Sequence, residues 1–463
     1  MLLNYFEESI IKNSKLPVEW QSQSSLDELQ AFLQLNWEQR TVFYDDGELK
    51  SRQQFLGFVG QKGLRTQNYI GTIVFKGQQL NIFPKVFRTD RGDYDTDALD
   101  INHLMRNLVC WLEYCSKIDY PYINITSELN DTNNLRDLFV ALYIRYVKGA
   151  LDRGLFYRYE DKDEDISTIK GKFDIKDYFT RKIPAGQTDK FHCTFSEFEF
   201  DNTLNRIIKY TCKSLINETS KENQKLIRHI LSKLNDVSDV RCTPNDCDTV
   251  RLSRLNKNYS VILSMSKMFL LNKTSTYNMD NSEAFCFLFP TEILFEGFIG
   301  GFMQSVLEGK AKVKLQASDM SVFSDVLFAG KSFGKSHRMK HDILVEHLQK
   351  GIFILDTKYK EIERFEGNDD ILTLVNKEVS SGDIYQVITY AHTRGISDVY
   401  LLYPLYRYED IEPDAPVGVN TSVNSDQPIN VHLLRLPFVF EDDVENTKSK
   451  LAKVINDIFD LKY

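Results

Sequence analysis

The sequence predicts a mixed α/β protein in three successive parts: a β-rich N-terminal domain over residues 1–95, a mostly helical middle domain over 96–280, and an α/β domain over 281–463. Three observations carry this. Runs of β-branched and aromatic residues bounded by turn residues crowd the first ~90 positions. Apolar residues at helical spacing dominate the middle. In the last part short apolar runs alternate with helical patterns. A chain of 463 residues is long enough for two or three domains with proper cores.

In the N-terminal part, Tyr69-Ile70-Gly71-Thr72-Ile73-Val74-Phe75 and Leu80-Asn81-Ile82-Phe83-Pro84-Lys85 read as two strands joined through Lys76-Gly77, a hairpin signal. The acidic stretch 90–100 links them to a helix carrying Leu104, Leu108, Trp111 and Leu112. A second helix places Leu135, Leu138, Phe139, Leu142, Tyr146 and Val147 on one face, and both stripes read as core. Helical patterns follow over 203–236 and 258–272, and the α/β segment starts near 285. Residues 412–428, rich in Pro, Gly, Asn, Ser and Asp, read as an exposed loop. A strand at Ile429-Asn430-Val431-His432-Leu433-Leu434-Arg435-Leu436 and a terminal helix from Val444 complete the chain.

Composition narrows the function class. The formal net charge of −9 excludes a protein coated in positive potential, so any nucleic-acid contact is local and leans on a partner. The 7 cysteines lack paired metal-ligand spacing, Cys242 and Cys247 having no second pair, and read as reduced thiols. With no signal-peptide pattern and no apolar run of membrane-spanning length, the chain reads as cytoplasmic, without a membrane partner.

The chemistry concentrates in residues 339–360, MKHDILVEHLQKGIFILDTKYK. Asp342 opens the strand-like run Ile343, Leu344, Val345. Gly351 breaks the chain, and Ile352, Phe353, Ile354 and Leu355 lead into Asp356-Thr357-Lys358. Side chains alternate along a strand, so Asp356 and Lys358 share a face, and a hairpin brings Asp342 to them. Two carboxylates suit Mg²⁺, a hard cation that prefers oxygen and leaves positions for phosphate and water. The lysine ammonium can orient the water or stabilise developing charge. The plainer reading is a surface hairpin with an ordinary same-face ion pair.

Downstream, Gln386 and Tyr390 lie four apart on a helix-like segment and point at one phosphate or water. Upstream, Glu296 on another helical segment offers a further acid, with Glu292 one turn earlier as its rival. In this order, acidic helix, Asp, Asp-x-Lys and Gln-x-x-x-Tyr resemble the signature of the PD-(D/E)xK nuclease superfamily. Residues Gly149-Ala150-Leu151-Asp152-Arg153-Gly154-Leu155-Phe156-Tyr157, Ile169-Lys170-Gly171-Lys172-Phe173-Asp174, Cys193-Thr194-Phe195-Ser196-Glu197-Phe198 and Asp201-Asn202-Thr203-Leu204-Asn205-Arg206 resemble the McrC family, the nuclease subunit of McrBC-type systems that cut modified DNA. His341 departs from the superfamily, which usually has proline there. Proline ligates nothing, so the metal site is not threatened.

Two competing motifs need weighing. Ala329-Gly330-Lys331-Ser332-Phe333-Gly334-Lys335-Ser336 satisfies a loose phosphate-loop pattern, but a phosphate loop feeds a helix, and the next apolar run is strand-like. The segment reads as a basic hairpin or loop whose Lys331, Lys335, Arg338 and Lys340 are candidate DNA contacts, or simply solvated charge. His337, His341 and His347 suggest zinc, but their spacing does not converge on one ion.

The combined expectation is an α/β chain with a PD-(D/E)xK nuclease core, acting as a Mg²⁺-dependent DNA endonuclease subunit. Asp342 and Asp356 hold the metal, with the Thr357 carbonyl and Glu296 as further ligands. Lys358 handles the water, and Gln386 and Tyr390 support it. The resemblance implies an McrB-like AAA+ GTPase partner docked through the N-terminal domain, double-stranded DNA with modified bases as substrate, and a second nuclease subunit for double-strand cleavage. The rival expectation is a non-catalytic adaptor that stimulates the GTPase. A scaffold has no need of Asp342, Asp356 and Lys358 together.

Overall fold

The computed structural model describes residues 2–38, 52–59, 63–90, 96, 99–115, 135–154, 156–217, 219–252, 256, 259–277, 284–318, 320–323, 327–328, 331–332, 336–363, 371–407, 417–420, 428–441 and 443–460. They form a mixed α/β chain of two compact units, residues 1–135 with 282–463, and residues 136–281. This division differs from the three consecutive domains drawn from the sequence. Strand Phe285–Pro290 lies antiparallel against Tyr69–Phe75, so the first and last parts of the chain share a sheet.

That sheet has four strands in the order Leu2–Phe6, Gln78–Phe83, Tyr69–Phe75, Phe285–Pro290. The hairpin between its middle strands turns at Lys76 and Gly77, both at positive φ (50° and 71°), as a two-residue turn matching strand twist requires. Strand Phe285–Pro290 is buried throughout and runs directly into helix Thr291–Val306. Against this helix packs Ile101–Tyr114. A β-carbon at Gly301 would stand 1.7 Å from the Tyr114 carbonyl oxygen, so only glycine permits the approach. Trp111 stacks on Phe438 with ring centroids 4.0 Å apart and donates its Nε1–H to the Phe438 carbonyl (2.7 Å), satisfying its polar edge inside the core.

The second sheet has six strands in the order Ala311–Ala317, His341–His347, Gly351–Thr357, Asp398–Leu405, Asn430–Pro437, Val417–Asn420. The first two pairings are antiparallel, and Gly351–Thr357 then pairs parallel with Asp398–Leu405. A parallel pair needs a crossover. Helices Ile371–Glu378 and Ser381–Arg394 occupy it, and Val387 and Ala391 bury against Leu344, Ile354, Val399 and Leu401. The loop expected over 412–428 contains the edge strand Val417–Asn420, which pairs with Asn430–Pro437.

The other unit carries helices Thr203–Leu215, Lys221–Lys233 and Tyr259–Tyr277, close to the expected helical segments. Phe139, Leu142, Tyr146 and Val147 are buried on helix Leu135–Arg153, while the Leu135 and Leu138 side chains lie outside the described ones. The unit also holds a three-stranded sheet, Arg158–Ile166, Phe191–Glu199 and Lys172–Phe173, in a region expected to be mostly helical. The strand RYEDKDEDI has no apolar alternation to announce it. Cross-strand ion pairs such as Lys162 with Glu197 (2.9 Å) accompany its ladder instead. Asp201-Asn202-Thr203-Leu204-Asn205-Arg206 is an anchor in this unit: Asn202 caps helix Thr203–Leu215, Asn205 donates to the Phe156 carbonyl (2.8 Å), and Asp201 accepts from Arg206 Nε (2.7 Å).

All seven cysteines are buried free thiols. Among the described residues no helix is long and apolar enough to cross a membrane.

Candidate active site

Strands His341–His347 and Gly351–Thr357 pair in a register that matches Ile343 to Leu355, which sets Asp342 beside Asp356 at the end of the ladder. Thr357 fixes Asp342: its backbone N–H and its hydroxyl both donate to Asp342 Oδ2, at 2.8 and 2.9 Å. Asp356 is fully buried. Among the described residues neither of its oxygens receives a well-aligned hydrogen bond, although the Lys358 ammonium stands 2.5 Å from Oδ2.

A buried carboxylate short of donors is costly as an anion. Burial, and then the charge of Asp342, push the Asp356 carboxyl up to about 7, against the pull of Lys358. Burial also works against the charge on Lys358, but Asp356 and the neighbouring carboxylates outweigh it and hold the ammonium above its ordinary value. Carboxylate oxygens that lack protein donors and sit beside a second carboxylate suit a hard divalent cation.

Helix Ser381–Arg394 supplies the remaining groups. The Lys358 ammonium donates to Gln386 Oε1 (3.3 Å), Gln386 Nε2 donates to the Tyr390 hydroxyl (2.8 Å), and that hydroxyl donates to the Lys340 carbonyl (3.2 Å). The four-residue spacing stacks Gln386 and Tyr390 on one helical face. Burial raises the Tyr390 phenol, so it stays protonated and can donate. Asp383, one turn before Gln386, is a residue the sequence reading passed over: it accepts from Lys360 Nζ at 2.5 Å and lies 3.9 Å from Lys358 Nζ. Its signal was available as an acid in the first turn of the helix that carries Gln386.

The two helix acids separate. Glu292 accepts from Asn68 Nδ2 (2.8 Å) and so faces the N-terminal sheet. Glu296 accepts from the Gln316 side chain. Gln316 lies opposite Asp342, between the pairs Leu315–Ile343 and Ala317–His341, and has a φ of 53°. Glu296 is therefore directed to the strand neighbouring Asp342. It does not complete a tight three-carboxylate cluster: among the described residues only Asp165, Asp177 and His192, in the other unit, bring three such ligand atoms within 4.8 Å of one another. Asp165 is exposed and the other two half-buried, and they are engaged: Asp165 with Lys182, and His192 with Asp165 (2.9 Å) and Asp163 (3.0 Å).

His341 is buried, accepts from Arg394 Nε (2.9 Å) and meets the Tyr390 ring edge-on at 4.6 Å. His337 pairs with Ser336, and His347 accepts from the Gln349 N–H, so the three histidines engage separate partners. Lys331, Arg338 and Lys340 are exposed; Lys335 lies outside the described residues. The described part of this segment forms short strand pairs, Leu327–Phe328 with Lys331–Ser332 and Ser321–Phe323 with Ser336–Arg338, where a phosphate loop would feed a helix.

Comparison with known proteins adds an independent line. A family model described as "McrBC 5-methylcytosine restriction system component" matches residues 64–404. A chain of the half-complex from a tetradecameric assembly of Thermococcus gammatolerans McrB AAA+ hexamers with bound McrC is similar at a TM-score of 0.65 and 15% identity, over 99% of this chain and 100% of that one. A chain from the Thermococcus gammatolerans McrBC complex is similar at a TM-score of 0.47 and 17% identity, over 66% of this chain and 88% of that one. No curated protein matches.

Proposed function

The chain belongs to the McrBC 5-methylcytosine restriction system component family, and from that premise we propose that it is the nuclease subunit of such a system, a Mg²⁺-dependent DNA endonuclease with a PD-(D/E)xK core. The observation that carries this is Asp356: a buried carboxylate short of hydrogen-bond donors, beside Asp342 and within reach of one lysine.

Asp342, Asp356 and the Thr357 carbonyl would hold the cation, with Glu296 reaching in through the neighbouring strand. When bound, Mg²⁺ supplies Lewis acidity toward a phosphate oxygen and acidifies a water. The protein's own groups do the rest. Thr357 locks one Asp342 oxygen, so the carboxylate plane is fixed before substrate arrives. Lys358 stays cationic beside the reacting phosphate and orients the attacking water or stabilises the negative charge on the pentacoordinate phosphorus's oxygens. Gln386 holds that lysine, Tyr390 holds Gln386, and both offer polar atoms to the same water. Lys331, Lys335, Arg338 and Lys340 steady the DNA backbone.

The partner in this reading is an McrB-like AAA+ GTPase, which delivers an acidic subunit to double-stranded DNA carrying modified bases. A double-strand break then calls for a second copy of the nuclease. The test is plasmid cleavage with partner, GTP and Mg²⁺. Asp356→Ala is expected to abolish cutting and to leave GTPase stimulation intact. Cutting that persists in this variant overturns the site; a wild-type chain that stimulates GTP hydrolysis and never cuts is an adaptor.

A further inference from the structure

Lys358 stands on one oxygen of the buried carboxylate proposed to hold the divalent ion, with its ammonium 2.5 Å from Asp356 Oδ2. Cation and ammonium therefore compete for one carboxylate, and the lysine requires somewhere else to go. The first turn of helix Ser381–Arg394 provides it. Asp383 is nine-tenths buried, its backbone N–H is tied to the Ser380 carbonyl (3.0 Å), and its Oδ1 lies 3.9 Å from the Lys358 ammonium. Its other oxygen is held by Lys360 at 2.5 Å. Lys358 and Lys360 are two apart, so one carboxylate on a rigid helix is bracketed by both lysines of the same strand end.

We propose that Asp383 is a positioning residue for Lys358: it receives the ammonium when a divalent ion takes Asp356, and Lys360 tunes how strongly it does so. This rests on the nuclease reading above. Asp383 reaches the ion only through Lys358. Without it, the ammonium keeps Gln386 as its neutral partner and remains bound to Asp356. Without Lys360, Asp383 has both oxygens available for Lys358, and Asp356 is vacated more easily. The two substitutions thus act in opposite directions.

The experiment titrates the full-length protein with Mn²⁺, in the absence of DNA, by calorimetry or by electron paramagnetic resonance, and records a thermal melt of each variant. D383N is expected to weaken Mn²⁺ binding roughly tenfold, the worth of one charge-assisted contact. K360Q is expected to tighten it. Both directions would also follow from net charge alone, so the deciding variant is the charge-neutral double D383N/K360Q: it should stay as weak as D383N, and D383E should recover most of the wild-type affinity. A double variant that binds Mn²⁺ like the wild type overturns the inference, since Asp383 then acts only by its charge. Loss of a cooperative melt in both D383N and the double variant overturns it as well, because Asp383 is then part of the framework. A wild-type chain that takes up no Mn²⁺ sinks the nuclease reading itself, a result distinct from either.

Discussion

Two antiparallel strand pairs in this molecule carry clustered acids beside a lysine, and they behave in opposite ways. In the pair His341–His347 and Gly351–Thr357, Asp356 is buried, short of donors, and pushed up to about 7 by burial. In the pair Arg158–Ile166 and Phe191–Glu199, Asp165 is exposed, and hydrogen bonds from Lys182 and then His192 hold its carboxyl below the ordinary range. Asp165 in turn raises His192. By composition and spacing the second cluster is the better metal site, with three ligand atoms within 4.8 Å. Physically it is the poorer one, because its lone pairs are already engaged by protein cations. A reactive site is marked by what its acids lack.

Substitutions can break that contrast, and the largest effect is expected at Asp356. Asp356→Asn should lower metal-dependent cleavage by roughly a thousandfold, since it removes a charged ligand and a partner of Lys358. In metal-free buffer the same variant should be more stable than the wild type. The folded pKa of Asp356 lies above its unfolded value of about 3.9, so its ionisation opposes folding. The penalty is absent below the unfolded pKa, grows as pH rises toward 7, and is full above it. Melts at pH 8 should therefore favour the Asp356→Asn variant by roughly a few degrees, with the gain fading toward pH 4. An advantage that grows on acidification would contradict the burial argument.

Next in size is ligand linkage. Mn²⁺ at about a hundred times its dissociation constant should stabilise the wild-type chain by about 2.7 kcal/mol at pH 8, and much less at pH 5, where Asp356 is protonated. Differential scanning calorimetry with and without a chelator checks this, and Asp356→Asn should abolish the shift. A shift that survives in that variant would move the metal elsewhere.

Smaller effects are expected along the supporting helix. Gln386→Ala and Tyr390→Phe should each slow single-turnover cleavage about tenfold, Gln386 through its bond to Lys358 and Tyr390 through its bond to Gln386. The smallest effect belongs to the Asp165, Asp177 and His192 cluster. Asp165→Asn and Lys182→Gln should alter neither Mn²⁺ uptake nor cleavage, since a solvated ion pair contributes little. A clear loss of metal binding in either variant would reverse the comparison.

Much of the candidate site was readable from local pattern. The runs Ile343-Leu344-Val345 and Ile352-Phe353-Ile354-Leu355 mark two strands, the Asp-x-Lys spacing puts Asp356 and Lys358 on one side, and four-residue spacing stacks Gln386 on Tyr390. The engagement of Glu296 by Gln316 was not readable, because it depends on a neighbouring strand whose Gln316 adopts a left-handed backbone. Nor were the contacts of Asp383 readable: its place in the first turn of the helix was, but its meeting with both lysines follows only once the helix lies over the strand end.

The same division runs through the fold. Periodicity and turn chemistry announced the hairpin at Lys76-Gly77 and the terminal helix Val444–Asp457, because a side chain's facing and a turn's φ are set by residues a few positions away. The charged strand Arg158–Ile166 escaped that reading, since its cross-strand partners lie elsewhere in the chain. The pairing of Phe285–Pro290 with Tyr69–Phe75 escaped it too: an apolar strand states that it will be buried without stating against what. By itself the sequence determined the residue types, the strand and helix periods and the order of the acidic and basic groups. Only the tertiary structure decided which acids are stripped of water and left short of donors, because desolvation is the joint work of residues from distant parts of the chain.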